Sequence, residues 1–231
     1  MIIDTDIPEH KYFKTFHLPT SMARTSDDKT LTQKEVEKYF YPMDDAYASI
    51  KLDGENTTIG RGYSHARSLD SKDHWSRHHI KRLAADLYRD IEPGWRICGE
   101  NMLAMHSIHY RDLESFFAVF SVWDNTNTRL SLDDMKDYCD CLGLWMAPVL
   151  KRGPFRGINF KDHFGLDFDK DEGYVVSNAK AFHYNDAAKN IAKVVRPHHV
   201  QTDEHWMSIP ERQAVKNMLK DSTYYVDPRY A

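Results

Sequence analysis

Lys51-Leu52-Asp53-Gly54-Glu55-Asn56 sets a primary amine two residues before an Asp-Gly step. A lysine in such a place becomes a nucleophile when burial and neighbouring cations lower the pKa of its ammonium. On its own the pattern is also that of an ordinary exposed lysine at a turn, so the residues downstream decide its reading. Glu172-Gly173-Tyr174-Val175-Val176 brings an acid and a glycine into an apolar strand, and Lys193-Val194-Val195-Arg196 supplies two cations at the end of another. Between them runs the aromatic-rich stretch Phe116 to Asp124.

The elements that must position these groups follow from local pattern. Thr32-Gln33-Lys34-Glu35 is a capping box that opens a helix to about Phe40, and Ser131 with Asp134 opens another that Gly143 ends. Ile80, Leu83, Ala84 and Leu87 recur at helical spacing within Trp75 to Asp90, and Ser208-Ile209-Pro210-Glu211 starts a C-terminal helix. Strands are predicted at Tyr47 to Leu52, Thr57 to Arg61, Arg96 to Asn101, Phe116 to Trp123, Tyr174 to Asn178 and Ala192 to Val195, where β-branched and aromatic residues gather. The alternation predicts an α+β fold with mainly antiparallel sheets. The short spacing from Leu52 to Thr57 across Asp53-Gly54 predicts a hairpin, with Lys51 at a strand end.

Composition bounds the rest. The 231 residues carry 41% hydrophobic and 29% charged side chains, which is globular and excludes a disordered or fibrous chain. The formal charge of −4 removes the global basic field of a non-specific nucleic-acid coat, so polyanions would have to be met at a local site, such as Arg77 to Arg82 or Lys151 to Arg156. No apolar run approaches the ~20 residues of a membrane span, and Met1 to Lys11 lacks a signal-type apolar core. Three cysteines, Cys98, Cys139 and Cys141, suit a reducing compartment, and the expectation is a cytoplasmic protein with no membrane partner. Asp167-Phe168-Asp169-Lys170-Asp171 imitates a calcium loop, but Glu172 stands where glycine is needed and Asn178 where glutamate is needed.

Taken in order, these segments resemble motifs I, III, IV and V of the covalent nucleotidyltransferase superfamily, and most of all the ATP-dependent RNA ligases of the phage nick-sealing type. The resemblance covers roughly residues 47 to 200. It extends to Trp95-Arg96-Ile97-Cys98-Gly99-Glu100-Asn101 and to Met146-Ala147-Pro148-Val149-Leu150-Lys151-Arg152-Gly153. It implies an adenylation domain of antiparallel sheets flanked by helices, with the active site in a cleft between them. The implied reaction runs through lysyl-AMP, transfers AMP to a 5′-phosphate RNA end and joins that end to a 3′-hydroxyl.

Carried over position by position, the resemblance makes Lys51 the nucleophile and Glu172 the acid that holds a divalent metal, Mg2+ with Mn2+ as the alternative. Lys193 matches a lysine on the α-phosphate. The family has a second lysine two residues on, whereas this sequence has Val195 there and Arg196 one place later. On a regular strand Arg196 points to the other face, so it can replace that lysine only if the strand breaks before Pro197. Arg67 and Glu100 match positions on phosphate and ribose, and Asn56 an asparagine typical of RNA ligases. Phe120 is the expected adenine-stacking ring, with Phe117 the alternative register, because Phe116, Ala118, Phe120 and Val122 share one face on period 2. The backbone of Ile50 is expected to read the adenine edge.

The expected organisation is an N-terminal extension over 1–46 packed on the core, a nucleotidyltransferase core over 47–200 and a short helical tail over 201–231. The tail is too short for an oligonucleotide-binding barrel, so end joining is expected to depend on a partner protein, a restricted substrate or the N-terminal Lys11 to Asp45 segment. Two other readings share the motifs: a module that binds nucleotide or RNA ends without joining them, and a GTP-using capping-type enzyme.

Overall fold

The computed structural model describes residues 10–22, 28–197 and 216–220. Two antiparallel sheets face one another. The first contains β1 (Phe16–His17), β2 (Ala46–Lys51), β8 (Val149–Gly153), β9 (Gly173–Asn178) and β11 (Ile191–Val195), in the order β1-β11-β9-β2-β8. The second contains β3 (Glu55–Gly60), β4 (Tyr63–Ala66), β5 (Arg96–Asn101), β6 (Phe117–Trp123), β7 (Thr128–Arg129) and β10 (Phe182–His183), in the order β10-β7-β6-β5-β3-β4. Only β1 with β11 pairs in parallel among the named strands.

Helices cover the outer faces. α1 (Gln33–Tyr39) has the capping box on Thr32 and Glu35, and its Val36 packs with Phe40 against Ala46, Ala48, Tyr174, Val176, Ala192 and Val194 of the first sheet. α2 (His78–Asp86) follows a 3-10 turn at Trp75–Arg77, and α3 (Leu132–Leu142) runs from Ser131 to the left-handed Gly143. Ile80, Ala84, Leu132, Met135 and Cys139 pack on Ile59, Ile97, Phe117, Val119 and Val122 of the second sheet. Cys139 is buried and Cys141 exposed, as expected of helix positions two apart. A four-residue helix, α4 (Ala187–Asn190), leads into β11. The helix expected from Ser208 lies outside the described residues.

The predicted hairpin across Asp53-Gly54 does not form. β2 ends at Lys51 and pairs with β8 and β9, while β3 begins at Glu55 and pairs with β4 and β5. The chain therefore crosses from one sheet to the other through Leu52 to Gly54. What overrides the turn chemistry is tertiary bonding. The Asp53 carboxylate is buried and accepts from the Ser107 and Ile108 amides (2.7 and 2.9 Å) and from the Ser107 hydroxyl (2.6 Å), rather than closing its own turn. A Cβ on Gly54 would lie 2.5 Å from the Asn101 carbonyl oxygen, so the crossing hugs β5 too closely for a side chain.

Arg129 joins the sheets from inside. It is fully buried on β7, donates to the Asn178 carbonyl (2.9 Å) and the Tyr47 hydroxyl, and lies over the Tyr47 and Phe182 rings. A buried guanidinium is costly unless its donors find acceptors, and here both Nη groups reach acceptors on β9 and β2 of the first sheet, while Nε has none among the described residues.

Candidate active site

A cavity of about 310 Å3 opens between the inner faces of the sheets. The first sheet supplies Lys51, Val175, Ser177 and Lys193, and the second supplies Asn56, Glu100, Ala118 and Phe120. Arg67, which follows β4, and Ile50 also line it. Of the expected site residues, Ile50, Lys51, Asn56, Arg67, Glu100, Phe120 and Lys193 are brought to this one cavity. Glu172 reaches it through its hydrogen bond to Lys51. Arg196 is not on the wall.

The centre is a buried charged cluster. Lys51 Nζ lies 2.5 Å from Glu172 Oε2, with the two side chains 22% and 2% exposed. Burial drives the Lys51 ammonium toward the neutral amine, but Glu172, Glu100 and Asp53 together overcome it and the pKa is raised. This corrects the expectation that cations around the lysine would lower it: the carboxylates of Glu172, Glu100 and Asp53 outweigh burial, and Lys51 is held as a cation. The same burial pushes Glu172 up to about 7, against the pull of Lys51, and Glu100 up to about 8. Asp53 goes the other way. Burial opposes its charge, but the Ser107 hydrogen bonds and the nearby His106 and Lys51 hold its carboxyl below the usual range. Lys193 is lowered, first by burial and then by Lys51, with Asp28 3.7 Å away opposing.

Local backbone explains the placement. Gly173 sits at φ 145°, where a Cβ would lie 2.1 Å from the Val194 carbonyl oxygen, so glycine lets β9 and β11 close up and sets Glu172 at the strand start. Phe120 is the extra residue of a β-bulge: Cys98 pairs with Ser121 and Gly99 with Val119, leaving Phe120 unpaired. The strict alternation expected along β6 therefore breaks. Ala118 and Phe120 face the cavity, but Val122 joins Phe117 and Val119 in the outer core. Of the two rings, Phe120 lines the cavity, while Phe117 is 2% exposed and packed under α2 and α3.

β11 ends at Val195, so Arg196 does leave the strand before Pro197, but its guanidinium turns elsewhere. It donates to the Phe168 carbonyl (3.0 Å) and the Ser107 hydroxyl (3.3 Å), and its backbone N–H donates to Glu172 O (2.9 Å). Arg196 thus braces the Asp53-binding turn and the Glu172 backbone. The Ile50 N–H donates to Pro148 O (2.9 Å).

No residue of the N-terminal segment is among the expected site residues. Tyr12, Phe13, Lys14 and Thr15 line the cavity, and the Tyr12 ring meets Phe120 edge-on at 5.2 Å. Tyr184 OH donates to the Lys11 carbonyl (2.7 Å) and Arg67 Nε to the Tyr12 carbonyl (3.4 Å), which fasten this segment to the residues that follow β10 and β4, the two edge strands of the second sheet. Two aromatics before a Lys were the only signal.

A sequence model of the RNA ligase family matches residues 44–195, which holds every candidate discussed except Arg196 and the N-terminal wall. The chain belongs to the RNA ligase family. Two solved structures share the fold at low identity. An archaeal ATP-dependent RNA ligase is 18% identical with a TM-score of 0.53, over 76% of this chain and 47% of that one. Naegleria gruberi RNA ligase with PPi is 13% identical with a TM-score of 0.51, over 81% of this chain and 61% of that one, so this chain spans roughly half to three fifths of their lengths. No curated protein matches it. Among the described residues no helix is long and apolar enough to cross a membrane.

Metal fit rests on the donor set. Among the described residues no three His, Cys, Asp or Glu side chains form a metal cage. Mg2+ instead favours one or two carboxylates with waters and substrate phosphates. Glu172, buried and aimed at the Lys51 end, fits that second kind of site.

Proposed function

We propose that this chain is an ATP-dependent RNA ligase whose Lys51 Nζ attacks the α-phosphorus of ATP, releasing pyrophosphate and leaving AMP on the lysine as a phosphoramidate. AMP then passes to the 5′-phosphate of an RNA end, and a 3′-hydroxyl displaces it to form the phosphodiester. The single observation that carries this reading is Lys51 at the floor of a nucleotide-sized cavity, 2.5 Å from Glu172 and flanked by Lys193.

Each residue has a task set by its chemistry. Lys51 must lose its proton before attack, and Glu172 Oε2 is the adjacent acceptor, with a pKa raised to about 7. Lys193 and Arg67 are cations that offset charge developing on the phosphoryl oxygens. The buried Asn56 Oδ1 has no hydrogen-bond partner among the described residues and, with Glu100, suits ribose hydroxyls. Phe120 offers a ring to adenine across from Val175, and the Ile50 carbonyl accepts from the adenine amino group, which guanine lacks at that position. Glu172 would hold the divalent ion, Mg2+ or Mn2+, which when bound supplies charge neutralisation on the phosphates.

The test is incubation with α-labelled ATP and Mg2+, followed by denaturing electrophoresis and then by addition of a 5′-phosphorylated RNA nick. Label that survives denaturation and chases into sealed RNA is expected. No covalent label would leave a binding module, and preference for GTP would leave a capping-type enzyme.

A further inference from the structure

The 103–113 connection between β5 and β6 has no regular secondary structure, yet it carries the groups that hold Asp53: the Ser107 and Ile108 amides, the Ser107 hydroxyl, and the Tyr110 hydroxyl, which accepts from the Asp53 N–H at 3.0 Å. An irregular segment keeps such a shape only if its own backbone groups find partners. Here the partners come from more than a hundred residues downstream. Asn217 N–H donates to Leu103 O (3.0 Å), Met218 N–H to Tyr110 O (2.9 Å), Leu113 N–H to Met218 O (3.0 Å) and Lys220 N–H to Leu113 O (2.8 Å).

The Asn217 side chain completes the set. It is 2% exposed, donates from Nδ2 to Met102 O (2.7 Å) and Ala104 O (3.3 Å), and accepts from the Tyr110 N–H at 2.9 Å. A carboxamide is the side chain that copies a peptide group, so Asn217 stands in for a missing strand neighbour on both sides of the loop. Leu219 adds an apolar anchor. It packs on the cluster of Leu52, Met102, Leu113 and Ala118, against which Ile50 also packs, so the segment borders the same apolar cluster as both neighbours of Lys51.

We infer that Asn217 is a positioning residue for lysine adenylylation: residues 216–220 act as a clasp that fixes the 103–113 loop, and through it Asp53 and the strand end that carries Lys51. The inference rests on the adenylylation reading above. Its action runs through the loop, since Asn217 touches neither the cavity nor Lys51. Misplacement of a reacting group by about an ångström can cost about 100-fold in rate without a matching loss of substrate binding. The clasp should therefore act on the rate at saturating ATP and not on the ATP concentration for half-maximal rate.

The experiment compares wild type with Asn217→Ala, Asp53→Asn and the double variant, each checked by thermal melting. In a folded Asn217→Ala protein the single-turnover labelling rate at saturating ATP should fall about tenfold or more, with half-saturating ATP changed less than about twofold. The double variant should be no slower than Asp53→Asn, because both act through one connection. The exposed pair Lys220 to Glu114 (3.3 Å) gives the control, and Glu114→Ala should label normally. A folded Asn217→Ala that labels at the wild-type rate, or losses that multiply in the double variant, overturn the clasp. Should Asn217→Ala fail to fold, Tyr110→Phe removes the hydroxyl contact to Asp53 from the same loop and must give the same split. Amide exchange at Ser107 and Ile108 reads the clasp without activity. Faster exchange in the variant supports it and unchanged exchange overturns it, whereas a wild type that never labels defeats only the adenylylation reading.

Discussion

The two ends of the cavity are built by opposite means. At one end Lys51, Glu172, Glu100 and Asp53 crowd four ionisable groups into a buried space, where each alters the titration of the others. At the other, Tyr12, Phe120, Val175 and Ile191 form a mainly apolar wall, where burial raises the pKa of the Tyr12 hydroxyl and keeps it neutral. The charged end stores unfavourable electrostatics, which suits a place where the charge of a phosphate is to be received. The apolar end is ordinary packing that leaves a gap, which suits a flat base. Variants at the first should thus lower rate, and variants at the second should lower affinity.

The sharpest test of that division is Lys51→Ala, which should abolish covalent labelling by α-labelled ATP altogether, as read on a denaturing gel. Label that persists would move the nucleophile elsewhere. Next, Glu172→Ala and Lys193→Ala should each slow labelling about 100-fold, the ~3 kcal/mol typical of one electrostatic contact to a transition state. Matched melting curves separate this from unfolding, and near-wild-type rates would take both out of the charged end.

Phe120→Ala addresses the apolar end. Base stacking is worth ~1–3 kcal/mol, so half-saturating ATP should rise about tenfold while the saturated rate holds. Phe117→Ala, in the outer core, should instead destabilise the fold by ~3–5 kcal/mol with little change in ATP affinity per folded molecule. If the two exchange phenotypes, the bulge does not aim Phe120 at the base. Arg196→Ala lies between the ends. Because its guanidinium braces Ser107 and Phe168, it should slow reaction with ATP and leave sealing of a pre-adenylated RNA donor near normal. The reverse pattern would assign Arg196 to RNA.

The smallest effect is on stability. Glu100 has a folded pKa of about 8, above its unfolded value, so the native state binds more protons than the unfolded state between the two values. Its contribution to stability therefore falls as pH rises through that window. Glu100→Gln should raise the melting temperature at pH 8.5 by about 2 °C or more, and the gain should vanish below about pH 4.5. A variant less stable than wild type at the higher pH would show that Glu100 is not strained by burial.

Much of the charged end was legible in the sequence. Lys51 at a strand end, Glu172 before a glycine, and Lys193 on the last strand follow from residue type and local pattern, and the capping box of α1 and the Ser131 to Gly143 helix follow from caps alone. β4 and β8 were not foreseen as strands. Each is an edge strand, with a partner on one side only and little apolar periodicity to betray it.

Residue types alone were enough to say which side chains could carry the chemistry, because charge, nucleophilicity and strand or helix preference belong to the residues. Tertiary structure alone decided where those side chains stand. Asp53-Gly54 reads locally as a hairpin turn, yet Ser107 and Ile108 draw it into a crossing between sheets. Phe120 on period 2 shares a face with Val122, yet a bulge parts them. Lys51 reads as a lysine to be made neutral, yet Glu172 and Glu100 from distant segments, with Asp53 beside it, keep it charged. Each reversal has one cause: hydrogen bonds, bulges and Coulomb interactions between residues far apart in the chain act at ångström range, and no local window of sequence contains both partners.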